Sequence, residues 1–145
     1  RQFEEVNGGE FYSSLQDKTH DISVVLMYKL SEKWALSASW IYITGQPATF
    51  PSGKYTVEGV QIPYYTERNG YRMPDYHRLD LGFTYYTKKT NKSETSWNFS
   101  LYNAYGRENA YIINFEQSED DPNVTQAVQV SLFKYIPSVS FNFKF

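Results

Sequence analysis

From Tyr135 to Phe145 the sequence alternates, with Tyr135, Pro137, Val139, Phe141, Phe143 and Phe145 on one parity and Ser138, Ser140, Asn142 and Lys144 on the other. Successive side chains of a strand point to opposite faces, so this stretch specifies a strand with one aromatic face and one hydroxyl- and amide-bearing face. The last residue, Phe145, is a large apolar group where a chain ordinarily frays into water. A soluble sheet accommodates that poorly; a membrane barrel gives the ring a place to sit.

Composition sharpens the choice. Among 145 residues, 14 Tyr, 10 Phe and 3 Trp make the chain 19% aromatic, yet its mean hydropathy is -0.59. No run approaches the ~18 apolar residues of a membrane helix, so contact with lipid has to be made by strands, whose alternation disappears in a hydropathy average. A net charge of -2 argues against a nucleic-acid partner, because neutralising phosphates needs a basic surface. The absence of cysteine removes disulfides, thiol catalysis and cysteine metal sites. No signal peptide is visible at Arg1-Gln2-Phe3-Glu4-Glu5 and the chain lacks an initiator Met, which sets the expectation of a processed product or a piece of a longer chain.

Taken in order, residues 1–21 read as a polar loop broken at Gly8-Gly9. Residues 22–44 read as a hairpin: Ile22, Val24, Leu26, Tyr28 and Leu30 share one face of its first strand, and Trp34, Leu36, Ala38, Trp40 and Tyr42 one face of its second. Residues 45–75 form a long external loop, far beyond the usual connection of ~4–6 residues, and its tyrosines and arginines favour an ordered surface over a linker. Residues 76–105 read as a second hairpin, with strands at Tyr76 to Tyr86 and Trp97 to Tyr105 around a lysine-rich turn at Thr87 to Ser96. Residues 106–127 are again an external loop, with a short strand at Ala110 to Phe115 and an acidic tip at Glu119-Asp120-Asp121-Pro122, and residues 128–145 form the terminal strand.

Two regularities follow. Connections run short, long, short, long, which is the asymmetry of an outer-membrane barrel with brief periplasmic turns and extended external loops. The aromatics obey the same sidedness: Tyr28, Trp34, Tyr85, Trp97 and Phe145 lie beside the short turns, and Trp40, Tyr42, Tyr76, Tyr105 and Tyr135 beside the long loops. The eight steps from Trp34 to Tyr42, at ~3.3 Å each and a tilt of ~40°, span roughly 20 Å along the membrane normal, near the ~25 Å band between aromatic girdles.

About five strands cannot close a membrane barrel, for which about eight is the minimum, and an open sheet in lipid leaves unpaired edges. Three resolutions are available: the chain is the C-terminal part of a larger barrel, several copies assemble one, or the sheet is soluble, as an antiparallel sandwich or lipocalin-like module binding a sugar or apolar ligand. The signal-free, non-Met start favours the first.

The runs HDISVVLMYKLSEKWALSASWIY, YTERNGYRMPDYHRLDLGFTYY, WNFSLYNAYGRENAY and SLFKYIPSVSFNFKF together resemble the C-terminal end of TonB-dependent outer-membrane receptors of the Bacteroidetes type. Arg72 to Leu81 is similar to that family's strand entry, and Tyr102-Asn103 with Asn109 to the segment before its last hairpin. The resemblance implies an all-β antiparallel meander forming the last strands of a 22-stranded transmembrane barrel. It also implies an N-terminal plug, import of a metal chelate, vitamin or glycan, and energy from TonB; plug and TonB-binding segment have no counterpart in these residues. The terminal aromatics Phe141, Phe143 and Phe145 resemble the signal read by the outer-membrane insertion machinery, although Ser138 and Ser140 stand where the general pattern has a glycine.

Within this frame the girdle candidates are Tyr28, Trp34, Trp40, Tyr42, Tyr85, Trp97, Tyr105 and Tyr135. Tyr55, Tyr64, Tyr65, Arg68, Tyr71 and Arg72 are candidate ligand contacts, since Tyr and Arg give much contact energy per residue; the alternative is that they pack the loop on itself. Arg78 and Asp80, two apart on a polar strand face, read as an inward wall pair linked to charges on neighbouring strands. His20 and His77 lack a metal-ligand pattern and the acidic tip lacks that of a calcium loop, so no metal or other cofactor is expected. No nucleophile motif, phosphate loop or carboxylate pair suggests an enzyme.

Overall fold

The computed structural model describes residues 5–89, 93–118, 121 and 124–145. After a short 3-10 turn at Asn7–Gly9, the strands are β1 (Asp21–Lys29), β2 (Trp34–Ile43), β3 (Pro47–Ala48), β4 (Gly53–Val57), β5 (Val60–Tyr64), β6 (Tyr71–Arg72), β7 (Tyr76–Lys89), β8 (Glu94–Tyr102), β9 (Ile112–Gln117), β10 (Thr125–Val130) and β11 (Ile136–Lys144). The architecture is all-β, and it divides into two compact units: residues 1–20 with 43–75, and residues 21–42 with 76–145.

The larger unit carries an open antiparallel sheet of five strands in the order β1-β2-β7-β8-β11. Its first turn is tight because the N–H groups of Leu30 and Ser31 both donate to Trp34 O, while Ser31 Oγ accepts from the N–H groups of Lys33 and Trp34. Register fixes the faces. Leu81, Phe83 and Tyr85 on β7 lie opposite Leu101, Phe99 and Trp97 on β8, which lie opposite Pro137, Val139 and Phe141 on β11. Opposed residues of an antiparallel pair share a face, so a continuous apolar surface crosses these strands. On the other face, Asn98 Nδ2 donates to Thr84 Oγ1 at 3.0 Å, the hydroxyls of Ser100 and Ser138 meet at 2.6 Å, and Ser37 Oγ donates to Gly82 O at 3.4 Å. Gly82 is buried, and a Cβ there would run into Ser37 Oγ, so glycine is what lets β2 and β7 lie close on the polar side.

The sheet has no hydrophobic core. Among the described residues of this unit no apolar side chain is buried, and the rings and branches of the alternating face stand open: Phe83 is 44% exposed, Phe99 45%, Val139 60% and Phe141 55%. A single layer of sheet covers neither of its own faces.

The smaller unit consists of two short ladders, β3 with β6 and β4 with β5. Gly59, at φ +85°, closes the β4–β5 hairpin, preceded by Glu58 also at positive φ. Gly45 is fixed between segments: its N–H donates to Asp75 Oδ1 at 2.9 Å and its carbonyl accepts from Arg72 Nη1 at 3.1 Å.

The structure differs from the sequence-based boundaries in three places. The second hairpin is longer at its turn, with β7 reaching Lys89 across an irregularity between Tyr86 and Lys88 and β8 starting at Glu94, so polar residues expected in the turn continue the ladder. Strand β8 stops at Tyr102 instead of Tyr105, because Asn103 adopts φ +54° and the chain turns there. The segment 128–145 is broken: β10 pairs with β9 in a separate hairpin, and the terminal strand begins only at Ile136, after adjacent Leu132 and Phe133 interrupt the alternation. The strand expected at Ala110 to Phe115 lies instead at Ile112–Gln117, as half of that hairpin. Glu119, Asp120 and Pro122 of the acidic tip lie outside the described residues.

Candidate functional site

The aromatic residues at the tight-turn end of the sheet form a row. Trp34 lies against Tyr85 with ring centroids 4.6 Å apart, Tyr85 faces Trp97 across the β7–β8 ladder, and Trp97 meets Phe141 at 5.0 Å. This row crosses β2, β7, β8 and β11 on the apolar face; Tyr28 stands exposed on β1. At the opposite end Trp40 stacks near Tyr42 at 6.1 Å, Tyr42 near His77 at 6.4 Å, and His77 near Tyr105 at 5.5 Å, with His77 Nδ1 2.7 Å from the Tyr105 hydroxyl. Between the rows lie Leu36, Ala38, Leu79, Leu81, Phe83, Phe99 and Leu101. Tyr135 packs beside Gly106 and is otherwise exposed.

Two sequence assignments change. Tyr76, grouped with the loop-side aromatics, belongs to the polar face, where its hydroxyl accepts a hydrogen bond from Arg78 Nη1 at 2.9 Å; His77 takes its place in the row. The reason is parity, since Tyr76 and Arg78 are two apart while Tyr42 meets residue 77. Phe141, assigned to the assembly signal, also completes the tight-turn row, whereas Phe143 and Phe145 contact each other at 5.7 Å and Phe145 is 95% exposed.

The wall pair on the polar face is self-contained. Arg78 Nη2 and Nε both reach Asp80 Oδ2, at 2.9 and 3.0 Å, and the guanidinium lies 4.1 Å from the centre of the Tyr102 ring. Asp80 Oδ1 accepts the backbone N–H of Asn103 at 2.9 Å. The link to the neighbouring strand thus runs through a ring and a backbone amide, where charged partners had been expected. With carboxylate, phenol and π-face around it, the arginine is neutralised in place.

Two asparagines with no expected role of their own organise the end of this sheet. Asn109 Oδ1 accepts the N–H of His77 at 3.1 Å and its Nδ2 donates to His77 O at 3.0 Å, so one side chain pairs with β7 beyond the end of β8 as a strand would. Asn103 is 1% exposed, and its amide nitrogen donates to Arg107 O at 2.8 Å and to Lys134 O. A sequence signal exists only in hindsight: both flank Gly106, which sits at φ +65° in the turn.

In the smaller unit the six loop candidates separate by role. Tyr55 and Tyr64 meet edge to face at 6.4 Å on the β4–β5 hairpin, and Tyr71 stacks on Phe50 at 5.3 Å. Arg72 is committed to structure through an ion pair with Asp17 and its bonds to the carbonyls of Gly45 and Asp17. Arg68 instead lines two open hollows at the turn of Thr66 to Gly70, of about 510 and 580 Å³, with Asn7 and Glu67 in both and Tyr65 and Leu15 in the first. The turn is held by Asn69, at φ +55° and 8% exposed: its N–H donates to Thr49 Oγ1 at 3.0 Å and its Nδ2 to Ser13 O at 2.7 Å. Arg68 packs over the Tyr12 ring at 5.4 Å, and among the described residues no carboxylate is paired with it. Of the loop arginines it is therefore the one whose charge is open to a ligand.

No protein-family profile, curated protein or solved structure matches this chain.

Proposed function

We propose that this chain is a wall and external-loop segment of a β-barrel in the bacterial outer membrane, of the TonB-dependent receptor type, that imports a nutrient such as a metal chelate, vitamin or glycan. The observation that carries the reading is the two-faced single sheet. Its apolar face is unburied throughout and bordered by two aromatic rows, while its polar face is internally hydrogen-bonded. Lipid covers such a face without a second protein layer, and indole and phenol rings settle at the headgroup level on either side. A soluble sandwich needs another sheet packed on these residues, and their exposure argues against one within this chain.

In this reading the outer strands β1 and β11 pair with neighbouring strands of the same barrel, which removes the sheet edges that lipid forbids. The loop unit, with Tyr65 and Arg68 at its hollows, meets substrate outside the cell, the remainder of the barrel and plug complete the pathway, TonB supplies the energy, and no residue here performs catalysis. The test is the intact mass of the native protein carrying the terminus SLFKYIPSVSFNFKF, in soluble and detergent-extracted outer-membrane fractions. A membrane species several times heavier than 17.0 kDa supports the receptor segment; a soluble 17.0 kDa monomer overturns it.

A further inference from the structure

Where β7 begins and β8 ends, the aromatic residues Tyr76, Tyr102, Tyr111 and Phe133, with Leu132 and Asn103, are among those lining a hollow of about 190 Å³. Its walls come from separate stretches of chain that are tied together. Tyr111 N–H donates to Val130 O at 2.8 Å, and Asn103 joins Asp80, Arg107 and Lys134 through three hydrogen bonds. The hollow is therefore built by the fold and not by a passing side-chain arrangement.

We propose that this hollow binds a neutral six-membered aromatic ring carrying a hydroxyl group. Size sets the ring: an apolar cavity of ~150 Å³ takes up benzene, so the space here holds one ring and little more. The walls set its aromaticity, because several rings around one site offer the offset and edge-to-face contacts that arenes prefer. Charge sets its neutrality, since Arg78, lying over Tyr102, is already balanced by Asp80. The hydroxyl follows from Asn103. Both hydrogens of its amide are committed to the carbonyls of Arg107 and Lys134, which fixes the amide orientation, and its Oδ1 is left buried without a partner. A buried acceptor without a donor is costly, and because Oδ1 is closed off from solvent, the lining has to give way before a phenolic O–H, a strong donor, reaches it. The proposal deepens the import reading by naming a ring-bearing ligand; it rests on that reading for what the ligand does there, but not for the binding itself.

The experiment is a saturation-transfer NMR titration of the detergent-solubilised native protein with phenol, cyclohexanol and methyl glucopyranoside, repeated on Leu132→Trp and Tyr111→Ala. Both substitutions fall on exposed side chains, and the first fills the hollow while the second removes a wall. Saturable phenol binding, weakened roughly tenfold by Leu132→Trp and less by Tyr111→Ala, with weaker cyclohexanol and no saturable glucoside binding, supports the site. Absence of saturable phenol binding, phenol binding unchanged in Leu132→Trp, or glucoside binding tighter than phenol overturns it. These outcomes are separate from the mass and membrane fraction of the protein, so failure of the site and failure of the barrel reading are told apart.

Discussion

Trp34 rests on Tyr85 of the adjacent strand, ring centroids 4.6 Å apart and planes inclined by 35°. It joins the first hairpin to the second at the tight-turn end of the apolar face, as Tyr42 and His77 do at the other end, and the row continues through Trp97 to Phe141. A tilted aromatic pair adds about 0.5–1.5 kcal/mol beyond its area burial. A double-mutant cycle of Trp34→Ala and Tyr85→Ala, read from denaturant midpoints of the folded protein, is expected to return a coupling in that range. Strictly additive effects mean the row is only a coincidence of spacing.

Arg68 and Arg72, only four residues apart, are expected to fail differently. Arg72→Ala removes an ion pair that is 40% and 42% exposed on its two sides, together with bonds to two carbonyls, so the loop loses about 1 kcal/mol of local stability. Hydrogen exchange at the Met73 amide, which donates to Gln46 O, reports that loss. Arg68→Ala leaves this exchange unchanged but weakens ligand uptake roughly tenfold. Equal uptake in Arg68→Ala and the parent protein dismisses Arg68 as a ligand contact.

The sheet was legible in the sequence because period-two alternation is a local property: Trp34 to Tyr42 and Leu79 to Tyr85 state their faces residue by residue. The pairings of β1 with β2 and of β7 with β8 followed from the short turns between them. What could not be read is what depends on long-range partners. The side chain of Asn109 replaces a strand for His77 across 32 residues, and β10 leaves the terminal strand to pair with β9; neither leaves a period in the sequence. The loop candidates show the same limit. Arg68 and Arg72 look alike as residue types, and only the position of Asp17, 55 residues away from Arg72, makes one arginine structural and leaves the other open.

Lys134 lies outside the sheet, in the segment leading to β11, and its ammonium is 2.5 Å from Glu108 Oε1. The hydrogen bond to Glu108, reinforced by the charge of that carboxylate, raises the lysine above its ordinary value of 10.5. A raised folded-state value means that the pair's contribution is fully present below the unfolded value and is lost as the pH rises through the folded one. Both side chains are exposed, so the contribution is also screened by salt. Unfolding midpoints followed from about pH 9 to pH 12 should therefore fall more steeply for the parent than for Glu108→Gln. Parallel curves, or a difference that grows with salt, remove the pair from the account of how this segment is held.

Phe141 and Phe145 share a parity but not an environment. Phe141 packs on Trp97, while Phe145 is 95% exposed and touches only the ring of Phe143 among the described aromatic contacts. Removing the first takes away a packed ring, and removing the second takes away almost no contact within the folded chain. Phe141→Ala should accordingly lower the stability of assembled protein by about 1 kcal/mol or more, through the lost aromatic pair and partial burial. Phe145→Ala should leave that stability and the ligand affinity of assembled protein unchanged, yet reduce the amount that reaches the outer membrane, because its ring is available to be read before folding is complete. Heat-modifiable mobility on gels measures stability, and quantitation of the membrane fraction measures yield. Normal membrane levels of Phe145→Ala, with normal stability, defeat the assembly role and leave the terminal ring without an assigned function.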